Sequence, residues 1–411
     1  FAPISDQIKD ATYSCYDGAC GTGGMLTVAQ DRLNAIAAQS GKKVSIHLFG
    51  QEINPETYAI AKADMMLKGD GEEALHIAFG STLSSDQHAT RTFDFMLANP
   101  PYGKSWKTDA DRMATGKKKE IVDTRFNAAT QDGAPLSMIP RSSDGQLLFL
   151  LNNISKMKQD TPLGSRIVEV HNGSSLFTGD AGSGESNARR YMIENDLGEA
   201  IIALPEKMFY NTGIGTYIWV LSNRKEARRQ GKIQLIDASK CCQSRRKPIG
   251  NKRVDIAENS RTMIVQAYGE YRTETYEGTE EDGKPIVCKS KILDGVSLGY
   301  RKVVVETPIH NEDGTLVLKR GKKVPDPAKR DTENIPLTEE VEEYISREVL
   351  PYNPDAWVDE GKTKIGYEIP YARTFYEYKE IEPADQIAQR IEAHEHALIE
   401  KLHELFGKAG E

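Results

Sequence analysis

The sequence predicts an α/β fold in which a mostly parallel sheet is covered by helices. Two observations lead to this prediction. Over residues 1–225, apolar strand-like segments alternate with segments of helical periodicity, which is typical of parallel strands joined by crossover helices. In addition, 38% of the 411 residues are hydrophobic and 28% are charged, which supplies a large core and a charged surface.

Local patterns place the elements of this region in order. Glycines in residues 17–24 separate the first strand from the first helix, and Pro100 and Pro101 end the third strand. Asp144 precedes an apolar helical run and is predicted to cap it. The predicted strands are residues 14–16, 44–49, 93–97, 166–170, 200–204 and 217–221, and the predicted helices are residues 25–39, 55–68 and 147–158.

The chain changes character after residue 223, where this alternation stops. Residues 241–253 are predicted to form a basic loop, residues 273–291 an exposed polar segment, and residues 310–330 a hairpin or a flexible insert. We therefore expect a first domain, an extension with exposed inserts and a C-terminal partner-binding region, over residues 1–235, 236–330 and 331–411.

The C-terminal region contains a predicted long amphipathic helix over residues 383–405. This pattern resembles a short heptad seam, so the helix is predicted either to fold back on its own domain or to pair with another subunit. The apolar residues of the stripe are Ile387, Ile391, Leu398, Leu402 and Leu405.

The net negative charge of the chain restricts how it could bind nucleic acid. Lys and Arg total 53 and Asp and Glu total 61, which gives a net charge of −8. A protein that binds nucleic acid unaided usually has the opposite sign, so DNA contact requires a local basic patch or a partner. No run approaches a membrane span, and the five cysteines fit no zinc spacing. With no signal peptide in view, we expect reduced thiols, no metal site and a cytoplasmic protein.

The glycine-rich turn and the end of the second strand predict a nucleoside site. Residues 17–24 fail the dinucleotide fingerprint, because Leu26 occupies the sixth position counted from Gly21, and they lack the lysine of a phosphate-binding loop. Glu52 directly follows the second strand, where a carboxylate commonly holds ribose hydroxyls. The alternatives are an ordinary tight turn and an acid that stabilises the start of a helix.

The tetrapeptide Asn99-Pro100-Pro101-Tyr102 gives the sharpest chemical signal. It follows a strand, so it is expected at the carboxyl edge of the sheet, and its prolines fix the Asn99 side chain and the Pro100 carbonyl in direction. Two such acceptors could hold the N–H bonds of a planar amino group and stabilise positive charge as it is methylated. Tyr102 offers a face on which a base could stack. The alternative is a proline-rich turn.

In this order, the motifs resemble those of S-adenosylmethionine-dependent adenine-N6 DNA methyltransferases. More closely, the chain is similar to the modification subunit of Type I restriction-modification systems. The resemblance implies a Rossmann-like methyltransferase domain followed by the C-terminal extension. Further segments that match the family are residues 172–177, 185–190, 204–205, 209–216 and 299–303.

The resemblance also assigns site residues and partners. The implied cofactor is S-adenosylmethionine, and the implied partners are double-stranded DNA with an adenine target, a specificity subunit and a second modification subunit, with a nuclease or translocase subunit as a further candidate. Two alternatives stay open: a protein side-chain amide N-methyltransferase, and a non-catalytic scaffold for a recognition subunit. The cofactor residues would be Asp17, Gly21, Thr22, Gly23, Gly24 and Glu52, and the target-base residues Asn99, Pro100, Pro101 and Tyr102.

The chain departs from the family pattern at three places. Gly18 stands where proline is usual, and Ser81 stands where an acid near the cofactor adenine is expected, with Asp86 nearby. The family's N-terminal helical domain is expected to be absent, with only residues 1–4 left of a cofactor-contacting segment.

Three basic clusters are candidate phosphate contacts. They are residues 117–119, residues 189–190 and residues 245–247. For the first, a solvated loop is an equal alternative. For the other two, a surface role is favoured over nucleic-acid contact, and for residues 189–190 that role is a surface salt bridge.

Overall fold

The computed structural model describes residues 7–68, 71–117, 119–130, 132–378 and 382–407. Residues 1–4, the remnant of the family's cofactor-contacting segment, and Lys118 of the first basic cluster lie outside these ranges. The chain divides into a large unit, Phe1–Tyr371, and a small one, Ala372–Glu411. In the described residues, no helix is both long enough and apolar enough to cross a membrane.

The bounds of the elements follow the predicted alternation closely in the first half of the chain. The strands are β1 (Ala11–Asp17), β2 (Val44–Glu52), β3 (Ile77–Phe79), β4 (Phe95–Ala98), β5 (Asn127–Ala129), β6 (Pro135–Ser137), β7 (Arg166–Asn172), β8 (Gly198–Ala203), β9 (Thr216–Ser222), β10 (Lys232–Asp237), β11 (Gln243–Ile249), β12 (Lys252–Asp255), β13 (Glu274–Thr279), β14 (Pro285–Asp294), β15 (Gly299–Glu306), β16 (Leu318–Lys319), β17 (Lys322–Lys323), β18 (Asp331–Pro336) and β19 (Trp357–Tyr367). The helices are α1 (Gly24–Gln39), α2 (Pro55–Lys68), α3 (Lys107–Met113), α4 (Gln146–Ser155), α5 (Ser174–Phe177), α6 (Gly184–Glu194), α7 (Glu258–Glu270), α8 (Val341–Glu348), α9 (Tyr371–Phe375) and α10 (Ala384–Gly407).

Ten of the described strands form one mostly parallel sheet, which confirms the predicted fold class. Their order is β13-β14-β10-β8-β9-β7-β4-β1-β2-β3. Strands β9 and β14 run against the other eight, which are β1, β2, β3, β4, β7, β8, β10 and β13. Helix α1 packs on β1 and β2, α4 packs on β7, and α7 packs on β10 and β14.

The strand order reverses beside β1, and this reversal positions the site. The chain runs outward from β1 to β2 and β3, and then crosses to β4 on the other side of β1. Open α/β sheets bind ligands in the crevice at such a reversal, outside the carboxyl ends of the strands. Asp17 ends β1, Glu52 ends β2, and Asn99 follows β4, so all three come to this edge.

Two segments of the extension are more regular than the sequence predicts. Residues 241–253, expected to be a loop, contain β11 and the start of β12, which form a hairpin. Residues 273–291, expected to be exposed, supply β13 and most of β14 at the edge of the central sheet. In β14, buried Ile286, Cys288 and Ser290 alternate with Val287, Lys289 and Lys291, and the lysines together with Ser290 hide the strand in the sequence.

A second, three-stranded sheet follows, in the order β18-β15-β19. Its core contains Val303, Val305 and Ile335, with Ile345 of α8 packed against them. The short hairpin β16–β17 lies within residues 310–330, and so the hairpin is the correct one of the two readings of that segment.

Arg189 ties helix α6 to two distant parts of the large unit. Its side chain is fully buried, and its guanidinium donates hydrogen bonds to the carbonyl oxygens of Tyr367, Ser175 and Thr178 at 2.6, 2.9 and 2.9 Å. Both sequence interpretations of Arg189, DNA contact and surface salt bridge, are therefore wrong. Arg190 does form an ion pair, with Glu194 at 2.8 Å.

Candidate active site

A cavity of about 510 Å³ opens at the carboxyl edge of the central sheet. Its volume lies within the range of small-molecule sites, about 300–1,000 Å³. Gly18 and Ala19 of the glycine loop and Glu52 line it, and so do residues 99–102. The structure thus brings the two main sequence motifs to one cavity, although they lie far apart in the chain.

The glycine loop makes a sharp turn between β1 and α1. Gly21 and Gly23 have φ of +57° and +80°, a left-handed conformation that glycine adopts without steric cost. A Cβ on Gly23 would also lie 2.7 Å from Met65 Cε, so α2 packs directly on the turn. Gly18 and Ala19 reach the cavity wall, whereas Gly21, Thr22, Gly23 and Gly24 form the turn behind it, and Asp17 is buried below.

Glu52 braces this turn from the neighbouring strand. Its Oε2 accepts a hydrogen bond from the Gly21 backbone N–H at 2.9 Å, and its Oε1 accepts one from the Asn54 N–H at 2.8 Å. The carboxylate still lines the cavity, so it is within reach of a ligand. The Glu52 carboxylate therefore has two roles: it holds the glycine loop in shape, and it can accept hydrogen bonds from the hydroxyls of a ligand.

The proline tetrapeptide presents its polar groups from a fixed backbone. Pro100 is buried, whereas Asn99 is exposed at the cavity and its side chain makes no hydrogen bond to any described residue. Tyr102 is half-buried in the cavity wall, and burial raises the pKa of its hydroxyl above the ordinary value of 10. The Asn99 amide is consequently available to a ligand, and Tyr102 stays a neutral phenol at neutral pH.

A hydrogen-bond network anchors the residue after the tetrapeptide. Asp144 Oδ1 accepts from the Gly103 N–H at 3.2 Å, and Oδ2 accepts from Gln146 Nε2 at 2.7 Å and from Ser174 Oγ at 3.0 Å. Gln146 Nε2 also donates to Asn172 Oδ1 at 2.8 Å. Asp144 does accept from the Gln146 N–H near the start of α4, at 3.3 Å, but Gly145 is the residue at the cap position.

A second acidic side chain of the cavity wall, besides Glu52, comes from an element that the sequence did not single out. Ser81 lines the cavity where an acid was expected, and Asp86 is buried in an ion pair with Lys156 at 2.6 Å. Asp109 of α3 lines the cavity instead, and its Oδ1 accepts from Ser84 Oγ at 2.6 Å. The Asp109 carboxylate is held at the cavity by a contact between residues 25 positions apart in the chain. No local sequence pattern could predict this contact.

Other lining residues were also missed by sequence reasoning. Trp106 is buried, and its indole N–H donates to the Arg141 carbonyl at 3.0 Å, which fixes its ring in the cavity wall. Phe149 comes from α4, Lys104 from the segment after the tetrapeptide, and Asn211 from the connection between β8 and β9. Asn211 alone lies in a segment that matched the family pattern.

The family model described as N-6 DNA Methylase matches residues 4–313, which is more than half of the chain. The chain belongs to the N-6 DNA methylase family.

Similar proteins of this family include methylase subunits of Type I restriction enzymes. The chain is 26% identical over 350 residues to the MjaIX methylase subunit of Methanocaldococcus jannaschii, an alignment that covers 83% of the chain and 53% of the relative. It is 27% identical over 240 residues to the HindI methylase subunit of Haemophilus influenzae, covering 57% and 46%. The chain thus spans about half the length of these curated relatives.

Among solved structures, the fold resembles that of a Type I restriction-modification methyltransferase subunit from Streptococcus thermophilus. The superposition has a TM-score of 0.54 at 22% identity, and it covers 72% of this chain and 52% of the other. This likeness supports the methyltransferase fold.

In this member of the N-6 DNA methylase family, the pKa of Asp17 lies well above its ordinary value. Burial raises the pKa of Asp17 to about 7; the Ala19 N–H, which donates to Oδ1 at 2.9 Å, lowers it, and the carboxylates of Glu169 and Glu52 raise it. Burial also raises the pKa of Glu169. A positively charged ligand beside the loop would favour the charged form of Asp17.

Asp17→Asn should remove a pH dependence of stability from this chain. Because the pKa of Asp17 is about 7 in the folded state and 3.8 as a reference value, folding takes up a proton between those values. The contribution of Asp17 to stability is therefore largest below pH 3.8 and is lost as the pH rises to about 7. Between about pH 5.5 and 8, we expect the free energy of unfolding of D17N to gain about 2 kcal/mol relative to the parent chain.

Denaturant unfolding of both chains at the two pH values checks this expectation. Asp160→Asn, at an exposed position, is the matched control and should follow the parent chain. An equal difference between D17N and the parent at both pH values would contradict the expectation.

Proposed function

We propose that this chain transfers a methyl group from S-adenosylmethionine to the N6 amino group of adenine in DNA, as the modification subunit of a Type I restriction-modification complex in the cytoplasm. The observation that carries the proposal is the shared cavity. Glu52 and the glycine loop line one part of it, and the Asn-Pro-Pro-Tyr tetrapeptide lines another. A cofactor and an extruded base could therefore lie side by side.

The residues of the cavity fit the proposed cofactor. Glu52 supplies carboxylate oxygens for ribose hydroxyls, and Ile53 and Leu83 supply apolar surface for an adenine ring. Asp109 supplies an acceptor for an amino group, and the backbone of Gly18 and Ala19 lies open to the ligand. When bound, S-adenosylmethionine supplies an electrophilic methyl group on a positively charged sulfur.

Asn99 and Pro100 would prepare the nitrogen that accepts this group. The lone pair of the adenine amino group is delocalised into the ring, so the nitrogen is a poor nucleophile. The Asn99 side-chain oxygen and the Pro100 carbonyl would each accept one N–H bond, which favours a tetrahedral nitrogen with its lone pair free. As the new N–C bond would form and the methyl–sulfur bond break, the same oxygens would stabilise the positive charge on the nitrogen, which would then release one proton to solvent.

Tyr102 would hold the base in the cavity. Adenine within a duplex cannot reach the cavity, so the nucleotide must be flipped out of the stack. Stacking of a base on an aromatic ring contributes about 1–3 kcal/mol. Because Tyr102 stays neutral, its ring can pack on the base without bringing a buried charge to the site.

The small unit supports a proposal about assembly. Helix α10 has 24 residues and so spans about 36 Å. Ile391, Leu398 and Leu405 lie on one stripe and are 62%, 59% and 70% exposed. We assign this stripe to the helices of a specificity subunit, which would place two copies of the chain on one DNA-recognition subunit.

Ile391→Asp should weaken this assembly by about 30-fold or more, or ~2 kcal/mol, because it places a charge in the centre of an apolar contact. Gln389→Asp is the matched control, since residue 389 lies about 160° around the helix from residue 391. Titration of each variant with the specificity subunit measures the effect. If both variants lost the same affinity for the specificity subunit, the apolar stripe would not be the surface that binds it.

Methylation of plasmid DNA tests the proposed function. The chain, the specificity subunit and labelled cofactor are incubated with plasmid, and modified bases are mapped. We expect N6-methyladenine at a defined sequence. Label transferred to protein in place of DNA would favour the amide methyltransferase, and absence of cofactor binding by calorimetry would favour the scaffold; either result would overturn the proposal.

A further inference from the structure

The hairpin β11–β12 is a basic surface joined to the edge of the candidate active site. Residues 243–255, which form this hairpin, contain five cations and one carboxylate, Asp255, in a chain whose net charge is −8. The five are Arg245, Arg246, Lys247, Lys252 and Arg253. Such a concentration of positive charge on an acidic protein indicates a negatively charged partner.

Ion pairs inside the chain account for only part of this charge. Arg245 and Lys252 both pair with the carboxylate of Asp255, Lys252 at 2.8 Å. Arg246, Lys247 and Arg253 are exposed and form no ion pair with any described residue. These three cations are therefore available to a partner, whereas the first two are already partly neutralised.

Backbone hydrogen bonds fix the hairpin against the connection between β8 and β9. The Asn251 N–H donates to the Tyr210 carbonyl at 2.9 Å, and the Arg253 N–H donates to the Lys207 carbonyl at 2.8 Å. A Cβ on Gly250 would lie 2.4 Å from the Tyr210 oxygen, so the contact is close. The same connection carries Asn211 to the cavity wall, one residue beyond Tyr210.

We propose that Arg246, Lys247 and Arg253 bind the sugar-phosphate backbone of DNA next to the flipped adenine. This inference rests on the proposed function and adds the surface that would hold the duplex at the cavity. A target base in the cavity must stay joined to its strand, so phosphates must pass the cavity mouth. The hairpin is attached to that mouth through residues 207–211, and long basic side chains suit sequence-independent phosphate contact.

The salt dependence of DNA binding tests the inference on the chain alone. Removing one phosphate-binding cation should reduce the slope of log K against log salt by about 0.9. For Arg246→Gln/Lys247→Gln/Arg253→Gln we expect the slope to fall by about 2–3, and the affinity for a short duplex to fall by about 100-fold at 0.1 M salt. Fluorescence anisotropy between about 50 and 200 mM salt measures both quantities.

A second basic hairpin supplies the matched control. Lys319→Gln/Arg320→Gln/Lys322→Gln removes three exposed charges from β16–β17 and its turn, and should leave slope and affinity unchanged. Both triple variants should keep the cofactor affinity of the parent chain, which shows that they are folded.

The outcomes separate this inference from the proposed function. If the parent complex methylates adenine but the β11–β12 variant keeps the parent slope, or if the parent chain binds DNA without salt dependence, the inference is wrong. The expected fall in slope together with no methyl transfer to DNA would overturn the proposed function and leave the phosphate surface supported.

Discussion

Asn99→Ala should lower the rate of methyl transfer to adenine by about 100- to 1,000-fold, the size of effect seen when one polar group that stabilises charge in a transition state is removed. Asn99 is exposed at the cavity and has no hydrogen-bond partner among the described residues, so its amide is free to hold the amino group. Because Pro100 is buried and fixes the backbone, its carbonyl should remain in place in the variant.

The measurement is single-turnover methylation with the specificity subunit present, together with a cofactor titration. Asn211→Ala, a truncation of the same residue type in the same cavity, is the matched control, and we expect a change below about 10-fold, since one weak contact is at stake. Two results would contradict this role of Asn99. One is a methylation rate for Asn99→Ala equal to that of the parent chain, and the other is a fall in cofactor affinity as large as the fall in rate.

Arg189→Met should lower the free energy of unfolding by about 3–5 kcal/mol, one of the largest effects expected from a single change in this chain. Methionine fills much of the same space but donates no hydrogen bonds. The carbonyls of Ser175, Thr178 and Tyr367 would be left without a charged donor in a buried position. Those carbonyls belong to segments almost 200 residues apart, so the large unit should unfold as a whole.

Urea unfolding followed by circular dichroism measures this change. Arg190→Met is the matched control, because Arg190 is the next residue of α6 and pairs with Glu194 one turn further along the same helix. A pair at this spacing contributes about 0.2–0.5 kcal/mol, so we expect a much smaller loss of stability than for Arg189→Met. Similar losses of stability in the two variants would mean that the three buried hydrogen bonds do not determine the stability of this region.

The sequence predicted helices and strands well where the residues of one segment determine its structure. The helix over residues 55–68 matches the observed α2, since Asn54, Pro55 and Lys68 mark its ends. The order of glycine loop, Glu52 and tetrapeptide was enough to expect one site, because parallel strands deliver their carboxyl ends to a single edge.

Contacts between distant segments could not be predicted in this way. Arg189 lies in a polar segment at the start of a helix, and it is buried by distant contacts with β19 and with the segment around α5. Asp109 enters the cavity wall because Ser84 meets α3, and neither residue belongs to a recognisable motif. Strand β14 was missed because Lys289, Ser290 and Lys291 interrupt its apolar pattern, and lysines are common on the solvated face of a strand near the sheet edge.

The reversed strand β9 has a consequence for how such a protein could change its specificity. Because β8 runs toward the ligand edge and β9 runs away from it, their connection must lie at that edge, where it supplies Asn211. Its two ends are held by strand pairing on either side, and the carbonyls of Lys207 and Tyr210 within it hold the β11–β12 hairpin. Laboratory evolution aimed at accepting a different base should therefore diversify residues 211–215 first, because they follow both anchoring carbonyls.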